Sequence, residues 1–160
     1  MKKVFYVVCV ITLTIGVISE SVSAKTLYVV GEDTISNSAQ APADVFSVTV
    51  KVTTYNNQCM ALSFSGELAI GGGISPGQVA FYPLIDGIAT LPTGDGSGHV
   101  YWTPGELGYY DMASFMWYQC GLKIGKHTVT IQYEPVNSGN TAYIRSRLLK
   151  IDLQAGKIVP

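Results

Sequence analysis

In "VFSVTVKVTT", residues 45–54, Phe46, Val48, Val50 and Val52 alternate with Ser47, Thr49, Lys51 and Thr53. A period of two sends successive side chains to opposite faces of a pleated strand, so this segment has one apolar face and one wet face. An apolar face needs a covering layer, which makes packed sheets the first expectation. The same pattern returns in "GKHTVTIQY", where His127, Val129, Ile131 and Tyr133 share one face and Thr128, Thr130 and Gln132 the other. No stretch after residue 24 carries a convincing helical period.

Between these segments lie "CMALSFSGEL", a Gly71-Gly72-Gly73 break, and "GQVAFYPLIDGIATL". In the last, Asp86-Gly87 stands between apolar flanks, as a type I′ hairpin turn demands. "TGDGSG" reads as a glycine-rich loop, "HVYW" as a short strand ended by Thr103-Pro104-Gly105, and "SFMWYQC" as a strand with large side chains on both faces. Strands punctuated by glycine, proline and Asp/Asn turns predict an all-β fold, an antiparallel β-sandwich of jelly-roll type. "EPVNSGN" is expected to return the chain as a hairpin. In the return segment Ala142, Ile144 and Leu148 share one phase, but Leu149, Ile151 and Leu153 take the other. One extra residue near Leu148-Leu149 reconciles them, so a β-bulge is predicted there.

The chain begins with Lys2 and Lys3, an apolar run of 14 residues from Val4 to Val17, and Val22-Ser23-Ala24. That is the pattern of a secretory signal peptide cleaved after Ala24, and the run is shorter than the roughly 20 residues that span a bilayer. The reading therefore divides the chain into a signal peptide (residues 1–24), an N-terminal strand and flexible lead-in (25–44) and a β-sandwich domain (45–160), secreted or periplasmic. Of 10 basic and 11 acidic residues, Lys2, Lys3 and Glu20 leave with the leader, so 8 and 10 remain, a net charge of −2. Without a basic stripe or charge block, nucleic acid and anionic lipid are poor partners.

Cys9 also leaves, and Cys59 and Cys120 remain as a pair in a compartment that permits oxidation. A disulfide between them is predicted; on the chain-entropy view, a loop of this length makes it worth about 4 kcal/mol. The alternatives are two buried thiols or half of a metal site. The latter is weakest, because zinc ligands come in close pairs and these cysteines are 61 positions apart.

The closing segments "GKHTVTIQY" and "TAYIRSRLLKIDL", with the earlier "LSFSGEL" and "FYPLIDG", resemble jelly-roll domains of the tumour necrosis factor and complement globular-head type, including bacterial and phage relatives. The resemblance covers residues 45–153. It implies a ten-strand sandwich, self-association into trimers, and binding or display without catalysis. The cysteine pair departs from it, and neither a collagen-like tract nor a coiled-coil stalk is present to drive a trimer. An immunoglobulin-like sandwich is the second resemblance, because Tyr118-Gln119-Cys120 mimics a tyrosine corner before the second cysteine of an inter-sheet bridge. The tryptophan that such a domain carries soon after its first cysteine is missing from residues 60–80.

Catalytic chemistry has little to draw on: after the leader only His99 and His127 remain, with no Gly-x-Ser-x-Gly elbow. His127 reads as a packed residue. His99 follows Asp95 by four residues, an acid–base or cation pair in outline, though a glycine turn explains the segment more simply. Glu67, Asp86, Glu106, Asp111 and Glu134 are scattered singly, and no calcium loop is present. No cofactor, metal site or enzymatic activity is expected. Arg145 and Arg147 read as solvated or interface charges.

The aromatic residues carry the strongest signal. Between His99 and Cys120 stand seven in 22 residues: Tyr101, Trp102, Tyr109, Tyr110, Phe115, Trp117 and Tyr118. Phe115 and Trp117 are expected in the core. Trp102, Tyr109 and Tyr110, with Tyr101 beside them, are the candidate ligand-binding residues, because exposed rings stack on sugars or anchor protein interfaces. Three function classes follow: a secreted interaction module that self-associates and presents loops to a partner, a carbohydrate-binding sandwich, or a structural protein of a surface or matrix.

Overall fold

The computed structural model describes residues 25–53, 58–72, 77–90 and 99–154. The expected leader, the "TGDGSG" loop and Asp95 lie outside them. Among the described residues are ten strands and no helix. They are β1 (Lys25–Gly31), β2 (Ile35–Asn37), β3 (Ala43–Val52), β4 (Gln58–Gly71), β5 (Val79–Ile85), β6 (Ile88–Ala89), β7 (Val100–Trp102), β8 (Asp111–Leu122), β9 (Gly125–Pro135) and β10 (Thr141–Gln154).

Two antiparallel sheets form a sandwich. One runs β1-β10-β4-β8, with β2 also on β10; the other runs β3-β9-β5-β6, with β7 also on β5. The chain changes sheet at every step from β2 to β5 and again at every step from β7 to β10, the connectivity of a jelly roll. The core follows the period-two phases: Phe46, Val48, Val50 and Val52 of β3 and His127, Val129, Ile131 and Tyr133 of β9 are all buried. Rings from both sheets meet at the centre, with Phe64–Phe81 centroids 5.4 Å apart, Phe81–Phe115 5.0 Å and Phe115–Trp117 5.7 Å, all tilted. Such offset geometries suit the ring quadrupoles.

The Asp86-Gly87 turn has φ of 54° and 78°, both left-handed, as a type I′ hairpin requires. Cys59 and Cys120 form a disulfide. It joins β4 to β8, neighbours within one sheet, at a point where the ladder between them shifts register. The immunoglobulin-like alternative required a bridge between sheets and is corrected by this placement.

The expected hairpin of residues 125–153 is also corrected. β9 pairs with β3 and β5, whereas β10 pairs with β1, β2 and β4, so these consecutive strands face each other across the core. Val136 donates its amide to the carbonyl of Gln78 at 2.9 Å, and buried Asn140 donates its amide to the carbonyl of Asn137 at 3.3 Å, which secures the crossing. Alternation marks a face to be covered and is silent on whether the next strand lies beside it or opposite.

The β-bulge in β10 is present: Arg145 pairs with Glu67 and Leu148 with Ser65, and Ser146 has a φ of 47°. It falls just before the predicted Leu148-Leu149 position and sends Arg147 inward. Arg147 is only 7% exposed, packed inside its own chain against the expectation of a solvated or interface charge. Its guanidinium donates to the backbone carbonyl of Asp33 and, through Nη2, to Asp33 Oδ1 at 2.9 Å, with Cζ 5.6 Å from the Phe46 ring centre. A Cβ on Gly31 would lie 2.6 Å from that Cζ, so glycine is what lets the cation lie against β1.

Residues 25–44 carry two strands on one edge of β10 where one strand and a loop were expected. The polar composition of the stretch is accounted for by its bonds. Buried Asn37 donates through Nδ2 to the carbonyls of Ala41 and Tyr133 at 2.9 and 3.0 Å and accepts from the amide of Ala39.

Candidate functional site

The outer surfaces of the two sheets differ in chemistry. On the β1-β10-β4-β8 sheet, β8 buries Ala113 and Trp117 and turns Met112, Met116 and Tyr118 outward. Met112 is 66% and Met116 71% exposed. Their partners on β4 are Glu67, Ser63 and Ala61, so mostly short side chains lie beside the large ones. Tyr28 and Val30 of β1 stand exposed on the far flank. Between the two flanks the face is polar: Lys150 of β10 stands between Tyr28 and Ser63 and pairs with Asp152 at 2.7 Å, and Arg145 pairs with Glu67 at 2.5 Å. β8 is also an edge strand of this sheet.

The outer surface of the second sheet is hydrophilic. Ser47, Thr130, Gln132, Asp44 and Glu134 occupy the outward phase of β3 and β9, with Gln132 donating to Asp44 at 2.9 Å. At one end the surface becomes aromatic. Tyr82 of β5 donates its hydroxyl to Glu134 Oε1, the edge of the His99 ring packs on Tyr82 with centroids 4.2 Å apart, and His99 Nδ1 lies 3.5 Å from the Tyr101 hydroxyl. Burial, then the neighbouring Glu134 carboxylate, pushes the Tyr82 phenol well above its ordinary pKa, so it remains a proton donor.

The four aromatic candidates are distributed over the molecule. Tyr101 joins the His99 group on the second sheet. Trp102, one residue on, takes the opposite phase and packs against the core. Tyr110 lies under Arg145, whose Cζ is 3.8 Å from the ring centre, toward the first sheet. Tyr109 is 64% exposed in the connection before β8. Among the described residues, no ring contact joins Trp102, Tyr109 and Tyr110. Sequence reading missed Tyr82, Glu134 and His99 as a group; the only local signal was that Tyr82 and Glu134 occupy the phases opposite buried Phe81 and Tyr133.

His127 belongs to the packed end of β9, as expected, and has a partner that its strand did not disclose. Nδ1 meets Asp86 Oδ2 at 2.7 Å, and Asp86 Oδ1 accepts from the Thr128 amide at 2.8 Å. Asp86 is thus more than a turn residue, because it fastens the β5–β6 hairpin to β9. Among the described residues no cluster of three or more potential metal ligands occurs, and no helix is long and apolar enough to cross a membrane.

No family model matches this sequence, and no curated protein sequence does. Solved structures resemble it in fold. The structure of infectious bursal disease virus, Gt strain, aligns with a TM-score of 0.50 at 13% identity, over 92% of this chain and 37% of that one. Eiger TNF from S. frugiperda aligns with a TM-score of 0.48 at 8% identity, over 84% of this chain and 95% of that one. The CBM36-1 domain of a multidomain xylanase from the hindgut metagenome of Trinervitermes trinervoides aligns with a TM-score of 0.43 at 14% identity, over 84% and 100%. At such identities the likeness is one of fold.

Proposed function

We infer that this chain is an exported, non-catalytic binding module that assembles with copies of itself through the outer face of the β1-β10-β4-β8 sheet. The observation that carries the reading is the exposure of Met112, Met116 and Tyr118 on one flank of that face and of Tyr28 and Val30 on the other. Several large apolar side chains exposed on one face support an interaction site there. A second copy is the favoured occupant because the charges between the flanks satisfy one another within the chain, Lys150 with Asp152 and Arg145 with Glu67. Neither sign is left in excess to select a charged partner. The leader-like residues 1–24 and the Cys59–Cys120 disulfide support an oxidising compartment outside the cytoplasm.

Three copies is the assembly implied by the sequence resemblance. Light scattering on the full chain, recovered after export and measured over a range of concentrations, tests the reading. A mass of three copies that falls to one in Met116→Glu, with unchanged circular dichroism, is the expected result. A dimer would keep the face and overturn the trimer; a monomer at every concentration would overturn both.

A further inference from the structure

On the second sheet, Ala80 of β5 is paired with Glu134 of β9 on one side and with Tyr101 of β7 on the other. Phe81 points into the core, so Ala80 points outward, with Tyr82 and Gln78 on the same side of the strand. Adjacent strands lie about 4.8 Å apart, which sets the Glu134 and Tyr101 backbones about 10 Å from each other. Ala80 is only 1% exposed, so its larger neighbours close over the methyl group and form one patch: a carboxylate on one side, an aromatic ring on the other, Tyr82 at one end and Gln78 at the other.

Each side is held. Tyr82 is fixed by its bond to Glu134 and by the His99 ring, which also approaches the Tyr101 hydroxyl. Gln78 donates through Nε2 to Thr103 Oγ1 at 3.3 Å. A carboxylate has acceptor capacity for several donors, so Glu134 retains sites beyond the one that Tyr82 occupies. Tyr101 is 49% exposed, leaving ring surface for stacking. Groups of this kind, locked by their neighbours on strands of a rigid sheet, lose little entropy when a ligand arrives.

We propose that this patch is a binding site for a neutral saccharide, one sugar ring lying on Tyr101 with vicinal hydroxyls donating to Glu134. The chemistry selects that class. An exposed aromatic ring suits the apolar C–H face of a pyranose, and a carboxylate, amide and imidazole suit its hydroxyls. The charged side chain of the patch is acidic, and Asp44 lies farther along the same surface. Sulfated and sialylated glycans are therefore repelled. This site lies on the face opposite the proposed assembly surface and does not rest on that reading.

The test is a titration of the full exported chain with neutral tri- to hexasaccharides of glucose, galactose, mannose and xylose, and with sulfated and sialylated oligosaccharides, followed by calorimetry and by the NMR signals of the His99 ring. At least one neutral oligosaccharide is expected to bind and shift the His99 signals, with affinity falling tenfold or more in Tyr101→Ala and in Glu134→Gln. Tyr109→Ala and Met116→Glu should bind as the parent does, which separates this site from loop aromatics and from assembly. Circular dichroism of each variant confirms the fold. Absence of binding to every neutral sugar, preference for the anionic glycans, or full affinity in both Tyr101→Ala and Glu134→Gln would overturn the proposal.

Discussion

His127 is held between Asp86 and Lys123: Nδ1 lies 2.7 Å from Asp86 Oδ2 and Nε2 2.8 Å from the Lys123 carbonyl oxygen. An ionised carboxylate and a carbonyl both accept, so both ring nitrogens donate and the imidazole is a cation in this arrangement. Burial pulls its pKa down, but the bonds to Lys123 and Asp86 outweigh that and the net displacement is upward. The His127 hydrogen bond, followed by the Thr128 amide, lowers the pKa of Asp86.

These directions predict a stability profile with two edges. The His127 contribution is complete below the unfolded histidine pKa and is lost as pH rises through the higher folded value. That of Asp86 is complete above the unfolded carboxylate pKa and is lost as pH falls through the lower folded value. Both are present between about pH 4 and 6.5. The difference in melting temperature between the parent and His127→Gln should be greatest in that window and shrink on either side. A difference that does not vary with pH would show that the bond is unimportant in solution.

Arg147 and Gly31 should be energetically coupled. Gly31→Ala brings a Cβ to 2.6 Å from the guanidinium carbon, and overpacking of this kind costs about 1–3 kcal/mol. In an Arg147→Met background the planar group is gone and the same change should cost less, a coupling readable in a urea double-mutant cycle. Additive effects would mean that the cation does not rest on β1. Asp33→Ala alone should cost about 2 kcal/mol by removing an acceptor from a buried guanidinium.

Neighbouring residues of β8 should respond in opposite ways. Trp117→Ala, with a fully buried ring, should lose about 3–5 kcal/mol. Met116→Ala should stay within about 0.5 kcal/mol for the dissociated chain, because that side chain faces solvent. Equal losses at the two positions would contradict the strand phase.

The disulfide should be reducible in the native state, since Cys120 is exposed although Cys59 is buried. Its reduction should destabilise the fold by about 4 kcal/mol, measured as the denaturant midpoint with and without dithiothreitol. Thiols that react only after global unfolding would count against an accessible bridge.

Much of the fold was legible because its signals are local. Alternation named the buried faces of β3 and β9, Asp86-Gly87 named its turn, and the phase conflict around Leu148 located the bulge to within a few residues. Pairing was not legible in the same way. β9 and β10 read as neighbours because they are consecutive, yet each has an apolar face that the other covers from across the core. Arg147 looked solvated because the bulge was placed after it, which gave its side chain the wrong phase. The Tyr101 patch gathers Tyr82, His99, Tyr101 and Glu134, with Tyr82 and Glu134 52 positions apart, and only strand register brings them together. For the same reason Trp102 and Tyr101, adjacent in the chain, separate into core and surface.

The sandwich turns its two outer faces in opposite directions, one flanked by exposed methionines and tyrosines and one hydrophilic. Copies joined through the first face would carry their Tyr101 patches on the outside of the cluster, all available to a single repeating target. On a surface dense in one sugar, retention would then be governed by local effective concentration, each occupied patch holding the next near its own ligand. Such an assembly would distinguish crowded surfaces from sparse ones by avidity, even where a single patch holds its sugar weakly.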